Sequence, residues 1–156
     1  MVITIDYFSD VLCVWAYGGQ VRLETLQKTF GEQILVRQRF VSLFADTVGR
    51  IGEGWQDKGG FAAFGSHMQE VCAQWEHTRL DPRVWTECRP RSCVGAHVFL
   101  KAAGLCLGVG ESTGRVDRAA NACLERLIAR VRQAFFEQAQ DVSRLDVLLD
   151  LLDADA

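Results

Sequence analysis

Residues 2 to 8 alternate Ile3, Ile5 and Tyr7 against Thr4, Asp6 and Phe8, and residues 33 to 41 alternate Ile34, Val36 and Phe40 with Arg37 and Arg39. Period-two alternation rich in β-branched and aromatic residues marks a strand. Between the two, Ala16, Gly19, Leu23, Leu26 and Phe30 recur at spacings of three and four, which predicts a helix that buries this stripe and ends at Gly31. Strand, helix and strand make a βαβ unit, and such units hold parallel strands joined by a right-handed crossover. No other stretch alternates in this way, so the chain must build its fold from a two-stranded start.

The pattern then changes. Residues 46 to 60 carry Gly49, Gly52, Gly54, Gly59 and Gly60 and read as a loop. Phe61, Phe64, Met68, Val71 and Trp75 step at helical spacing up to a break at Asp81-Pro82. Ser92 is placed to cap a helix through Ala96, Phe99, Leu100, Ala103 and Leu107 that stops at Gly108 and Gly110. Ala120, Cys123, Leu127, Val131 and Phe135 form the longest seam. A last helix, from Ser143 to Leu152, is capped by Asp141 or Ser143 and buries Leu145, Leu148, Leu149 and Leu152. The division expected is 1–45, a βαβ unit, and 46–156, a helical unit of about four helices. A parallel pair of strands is a poor sheet alone. Either helices cover both of its faces, or part of the sheet lies outside this sequence.

Charge excludes some partners. With 17 Lys and Arg against 20 Asp and Glu, mostly interleaved, no basic stripe suggests nucleic acid. The N-terminus lacks the basic and apolar regions of a secretory signal, and no apolar run approaches the ~20 residues of a membrane span. No membrane association is expected, and the expected location is cytoplasmic. In that compartment Cys13, Cys72, Cys88, Cys93, Cys106 and Cys123 read as free thiols. No pair has the two-residue gap of zinc ligands or dithiol redox sites, so no metal is expected. Cys72 and Cys123 fall on apolar seams and read as inert, and His97, beside Ala96, reads as facing a polar edge.

Cys13 is the candidate reactive group. It stands where the first strand gives way to the helix, so its thiolate would face unsatisfied backbone N–H groups and the positive helix end, as thiol–disulfide exchange favours. Trp15 and Tyr17 flank it and are candidates either for lining a substrate groove or for the core. A His–Cys13 pair could form only through space, since no histidine lies near Cys13 in sequence.

Preceded by a strand, Ser9-Asp10-Val11-Leu12-Cys13-Val14-Trp15-Ala16-Tyr17 resembles the active-site start of the DsbA-like thioredoxin-fold oxidoreductases, which commonly read Cys-Pro-Trp-Cys there. Arg89-Pro90-Arg91-Ser92 leading to Ala96-His97, and Arg132-Gln133-Ala134-Phe135-Phe136 followed by Asp141-Val142-Ser143, are similar to that family's helical insert. The resemblance implies an α/β fold: the N-terminal βαβ half of a thioredoxin-like fold followed by an α-helical insertion. It also brings departures. Ala16 replaces the second cysteine and Val14 the proline. The family's later strands and cis-proline loop have no counterpart, because Pro82 and Pro90 are the only prolines and both lie in the insert. The C-terminal thioredoxin half is thus expected to be absent, the chain being the N-terminal part of a longer protein or a truncated product.

What remains is monothiol chemistry on a thiol or disulfide substrate, with glutathione as co-substrate and no bound cofactor. Two alternatives stand beside it: a glutathione-binding transferase or isomerase of kappa type, and a catalytically silent binding or assembly module. An unpaired strand edge also predicts association as a homodimer.

Overall fold

A computed structural model of the chain describes residues 2–109 and 117–153. Strand β1 (Ile3–Ser9) leads through a buried turn into helix α1 (Val14–Phe30), and a short 3-10 turn returns the chain to β2 (Ile34–Phe40). The strands pair in parallel from Ile3 opposite Ile34 to Ser9 opposite Phe40. Helices α2 (Gly60–Cys72), α3 (Val94–Cys106), α4 (Arg118–Phe136) and α5 (Leu145–Asp153) follow. The expected βαβ start and helical insertion are both present.

Among the described residues the helices bury one face of the sheet. Ile34 and Val36 are buried on that face, where Ile3, opposite Ile34 at the strand's start, is left exposed, whereas Phe8 on the other face is 65% exposed. On the open face Asp6 is clasped by Arg37 (2.8 Å) and Arg39 (2.9 Å). The outer edge of β2 is closed by side chains of α4: Arg118 donates to the Ile34 carbonyl at 3.0 Å, and Asn121 donates to that of Val36 at 3.1 Å. Two strand carbonyls that a third strand would satisfy are satisfied by a helix instead.

The apolar core is continuous, joining Val11, Leu12 and Val14 to Phe64, Met68, Trp85, Leu100, Leu127, Phe135 and Leu148. Trp85 stacks on Phe44 (5.6 Å between centroids) and meets Phe135 edge-on (5.1 Å). Asp117 starts α4 by accepting the Ala119 and Ala120 N–H groups, a side-chain N-cap. The Ser92 hydroxyl accepts Val94 N–H at 3.1 Å at the head of α3.

Four expectations change. The α1 stripe is not buried along its length: Val14, Ala16 and Gly18 face the interior, while Leu26 and Phe30 are exposed, because the neighbouring elements cover only the first turns. The glycine-rich stretch is not a plain loop but holds a π-helical turn (Val48–Glu53) and a 3-10 turn (Gln56–Lys58). There Gly54 is required by space, since a Cβ would lie 2.5 Å from the Arg50 carbonyl oxygen. Helix α5 buries Leu148 but leaves Leu145, Leu149 and Leu152 exposed. Finally, Cys72 is buried as expected, but Cys123 is only half-buried. Gly110 lies outside the described residues.

Candidate functional site

The last residue of β1, Ser9, is buried, and the chain turns inward at once through Asp10, Val11 and Leu12, each almost wholly excluded from solvent. Asp10 shapes the turn. Its Oδ1 accepts Leu12 N–H at 2.9 Å, its carbonyl accepts Cys13 N–H at 3.1 Å, and its Oδ2 accepts Phe44 N–H at 2.9 Å from beyond β2. Cys13 follows as the N-cap of α1, with extended backbone (φ −86°, ψ 116°), a half-buried side chain and no side-chain capping bond. Its carbonyl takes Tyr17 N–H at 3.0 Å, the first helical hydrogen bond. The thiol therefore stands at the end of a 17-residue helix whose first N–H groups have no intrahelical acceptor.

Trp15 and Tyr17 go different ways. Trp15 is 59% exposed two residues past the thiol, with its ring edge-on to Trp75 at 5.1 Å. Tyr17 turns into the protein, stacks on Phe136 at 4.7 Å, donates its hydroxyl to Glu137 Oε1 (2.8 Å) and accepts Arg79 N–H (3.2 Å). Burial, with the Glu137 carboxylate beside it, pushes its phenol up to about 12. Ala16, one turn below Cys13, is 6% exposed. All six cysteines are free thiols.

The helical part supports this turn through a residue whose role was not visible in the sequence. His97 on α3, expected at a polar edge, is 6% exposed, and its Nε2 accepts Val11 N–H at 3.2 Å. That leaves the ring proton on Nδ1, which faces Ser42 Oγ at 3.3 Å. The correction has a physical origin. His97 lies beside the apolar seam, and Val11 in the turn and Ser42 just after β2 supply polar groups to its two ring nitrogens. No spacing pattern could show this, since Val11 and His97 are 86 residues apart. His97 makes no hydrogen bond to Cys13 among the described residues.

Asp10, Cys93 and His97 together place a carboxylate oxygen, a sulfur and a ring nitrogen within 4.8 Å of one another, all buried. These are metal-ligating atom types, but each is already engaged. Burial pushes the Asp10 carboxyl up, and the hydrogen bonds it accepts from Leu12, Cys93 and Phe44, with the His97 ring beside it, outweigh this and hold it below the usual carboxylate range. Burial first, and the Asp10 carboxylate second, pushes the Cys93 thiol up to about 12. A protonated thiol donating to a carboxylate is a structural clamp, and it ties α3 to the turn that presents Cys13.

A groove of about 680 Å³ lies elsewhere, across the open sheet face between Thr4, Leu35, Arg37 and Arg39 and the helical residues Lys101 and Arg118. Neither Cys13 nor Trp15 lines it.

The sequence matches no protein-family model and no curated protein. Solved structures do match. A Nitrosomonas europaea protein assigned as a protein disulfide isomerase superposes with a TM-score of 0.69 at 14% identity over 99% of this chain and 66% of its own. The cytosolic disulfide reductase DsbM from Pseudomonas aeruginosa, with GSH, superposes with a TM-score of 0.62 at 20% identity over 96% of this chain and 63% of its own. A second structure of the same reductase gives 0.61. The chain thus spans no more than about two thirds of the length of each, and what the likeness shows is the fold: the DsbA-like thioredoxin architecture of a βαβ unit with a helical insertion.

Proposed function

We propose that the chain carries the thiol site of a single-cysteine thiol–disulfide oxidoreductase, with Cys13 as nucleophile and glutathione as co-substrate, acting in a reducing, cytoplasmic setting. The observation that carries this reading is the place of Cys13 at the N-cap of α1, directly after a buried turn, with Ala16 where a second thiol would stand. The fold likeness to disulfide reductase and isomerase structures supports it, as does the GSH in one DsbM structure. The Cys13 thiolate attacks the glutathione sulfur of a mixed disulfide between glutathione and substrate. The S–S bond breaks, the substrate leaves as thiolate and is protonated by solvent, and Cys13 is left joined to glutathione. A second glutathione thiolate attacks the glutathione sulfur of that adduct, releases oxidised glutathione and restores Cys13. Two glutathione sulfurs end as one disulfide and the substrate sulfur is reduced.

Trp15, exposed beside the thiol, is the proposed contact for the glutathione or substrate backbone. Tyr17 acts through packing under the site. The outer edge of β1 has no strand partner among the described residues, which supports association of two copies there. No helix among the described residues is long and apolar enough to cross a membrane.

Mass spectrometry after incubation with oxidised glutathione, together with a reductase assay on a glutathionylated peptide, tests the reading. The wild type gains one glutathione on Cys13 and turns over, and Cys13→Ser does neither. Glutathione binding that survives Cys13→Ser favours the kappa-type alternative, and absence of both adduct and binding favours a silent module.

A further inference from the structure

We propose that the groove across the open sheet face receives helix α5 of a second copy of this chain. Helix α5 sets Leu145, Leu149 and Leu152 at spacings of four and three, one stripe along the helix, and the three are 62%, 48% and 40% exposed. Asp146 and Asp150 run beside that stripe, each one position after a leucine. Arg144 holds Asp146 at 2.6 Å, whereas Asp150 makes no ion pair among the described residues. Leu148, buried against the core, fixes the helix on its own chain, so the stripe cannot turn into the groove of the same copy. A row of leucines left in water with acids alongside is complemented by a surface that is apolar and basic.

The groove has that character. Leu35 and Phe40 are among its apolar lining, and the charged residues that line it, among those described, are Arg37, Arg39, Lys101 and Arg118, all basic. Asp6 offsets one charge of the Arg37 and Arg39 pair. Arg118 donates to the carbonyls of Ile34 and Glu32, which are neutral, and Lys101, exposed on α3, makes no ion pair among the described residues. The sign left over on the helical wall of the groove is thus opposite to that of Asp150. The two surfaces are unlike, so the contact runs from α5 of one copy to the groove of the other. Two copies closed about a twofold axis make it twice, and a pair that does not close leaves a groove for a third. One short helix face is smaller than a standard interface, and the doubled contact of a closed pair offsets this. Pairing along the outer edge of β1 is a different contact, since it needs neither Lys101 nor Asp150.

The test is sedimentation velocity over a concentration series for wild type, Asp150→Lys, Lys101→Glu and an equimolar mixture of the two variants. Both positions are exposed, so both variants should fold, which circular dichroism checks. Wild type associates as its concentration rises. Each variant alone sets like charges against each other and associates about tenfold more weakly. The mixture recovers wild-type association, because the α5 of each variant then meets, in the other, a groove residue of opposite sign. Leu149→Ser weakens association with the charges unchanged. Wild type that stays monomeric at every soluble concentration, or a mixture no more associated than its parts, overturns the proposal. Association that neither charge substitution alters also overturns it and moves the contact elsewhere, the β1 edge included. A monomeric wild type that binds poly-glutamate, with binding lost in Lys101→Glu, overturns it in favour of an acidic segment of another protein.

Discussion

Val11 N–H points at His97 Nε2 across 3.2 Å, while the same nitrogen lies 3.5 Å from Asp10 Oδ1. Nε2 can accept from Val11 or, if protonated, donate to Asp10, but it cannot do both at once. The shorter contact selects the acceptor role, so α3 holds the approach to Cys13 by its backbone.

His97→Leu would leave the Val11 N–H without its acceptor in a buried setting. The expected loss is about 1–3 kcal/mol of folding stability, the usual cost of an orphaned buried donor. Urea unfolding measures it. His97→Gln, whose amide oxygen can still accept, should recover part of the loss; equal losses in the two variants would show that the hydrogen bond to Val11 contributes nothing.

Asp10 makes the stability sensitive to acid. Its carboxyl lies below the ordinary 3.8 in the folded chain, so in that range the unfolded chain binds more protons. Its contribution is fully present above the unfolded value and is lost as pH falls through the lower folded value. The stability gap between wild type and Asp10→Asn should therefore be constant near neutrality and shrink in acid. A gap that widens on acidification would contradict the sign.

Gly18 lies against the Trp75 ring, and a Cβ there would overlap Trp75 Cζ3 and Cε3. Trp75 is itself held edge-on by Trp15. Gly18→Ala should cost about 1–3 kcal/mol despite the better helix propensity of alanine, because the ring must move and Trp15 with it. Thermal unfolding and Trp fluorescence report the two effects, and a stabilised variant would show that the ring has room.

The strands and helices were legible because each has a local signature. Ile3-Thr4-Ile5-Asp6-Tyr7 alternates, Val36 and Phe40 alternate with Arg37 and Arg39, and the α4 seam from Ala120 to Phe135 repeats at helical spacing. Periodicity reports which side of an element is apolar, not whether a neighbour covers it, so Leu26, Phe30 and Leu145 could not be read as exposed. The place of Cys13 at the junction of strand and helix was legible from the elements on either side of it, and the chemistry proposed for it is read from that place. The groups around it were not. Cys93, His97 and Arg132 come from distant segments, and their meeting with the turn that holds Asp10 depends on how α3 and α4 pack on it.

Ala16→Cys tests whether the architecture still fits a dithiol site. Position 16 lies one helical turn after Cys13, so side chains there are close enough to meet in an intramolecular disulfide. Ala16 is 6% exposed, and a sulfur added there enters well-packed surroundings, at an expected cost of about 1–3 kcal/mol in the reduced form. On mild oxidation the variant should lose the two thiol hydrogens and link the peptides that carry positions 13 and 16. It should also release glutathione from Cys13 without external thiol, because the new thiol attacks the mixed disulfide from within. Ala16→Ser, of nearly equal size but unable to form that bond, should keep the wild-type dependence on added glutathione. Single-turnover release followed by mass spectrometry separates the two variants. A glutathione adduct that persists in Ala16→Cys, in a protein that remains folded, would show that the turn no longer presents the two positions to each other.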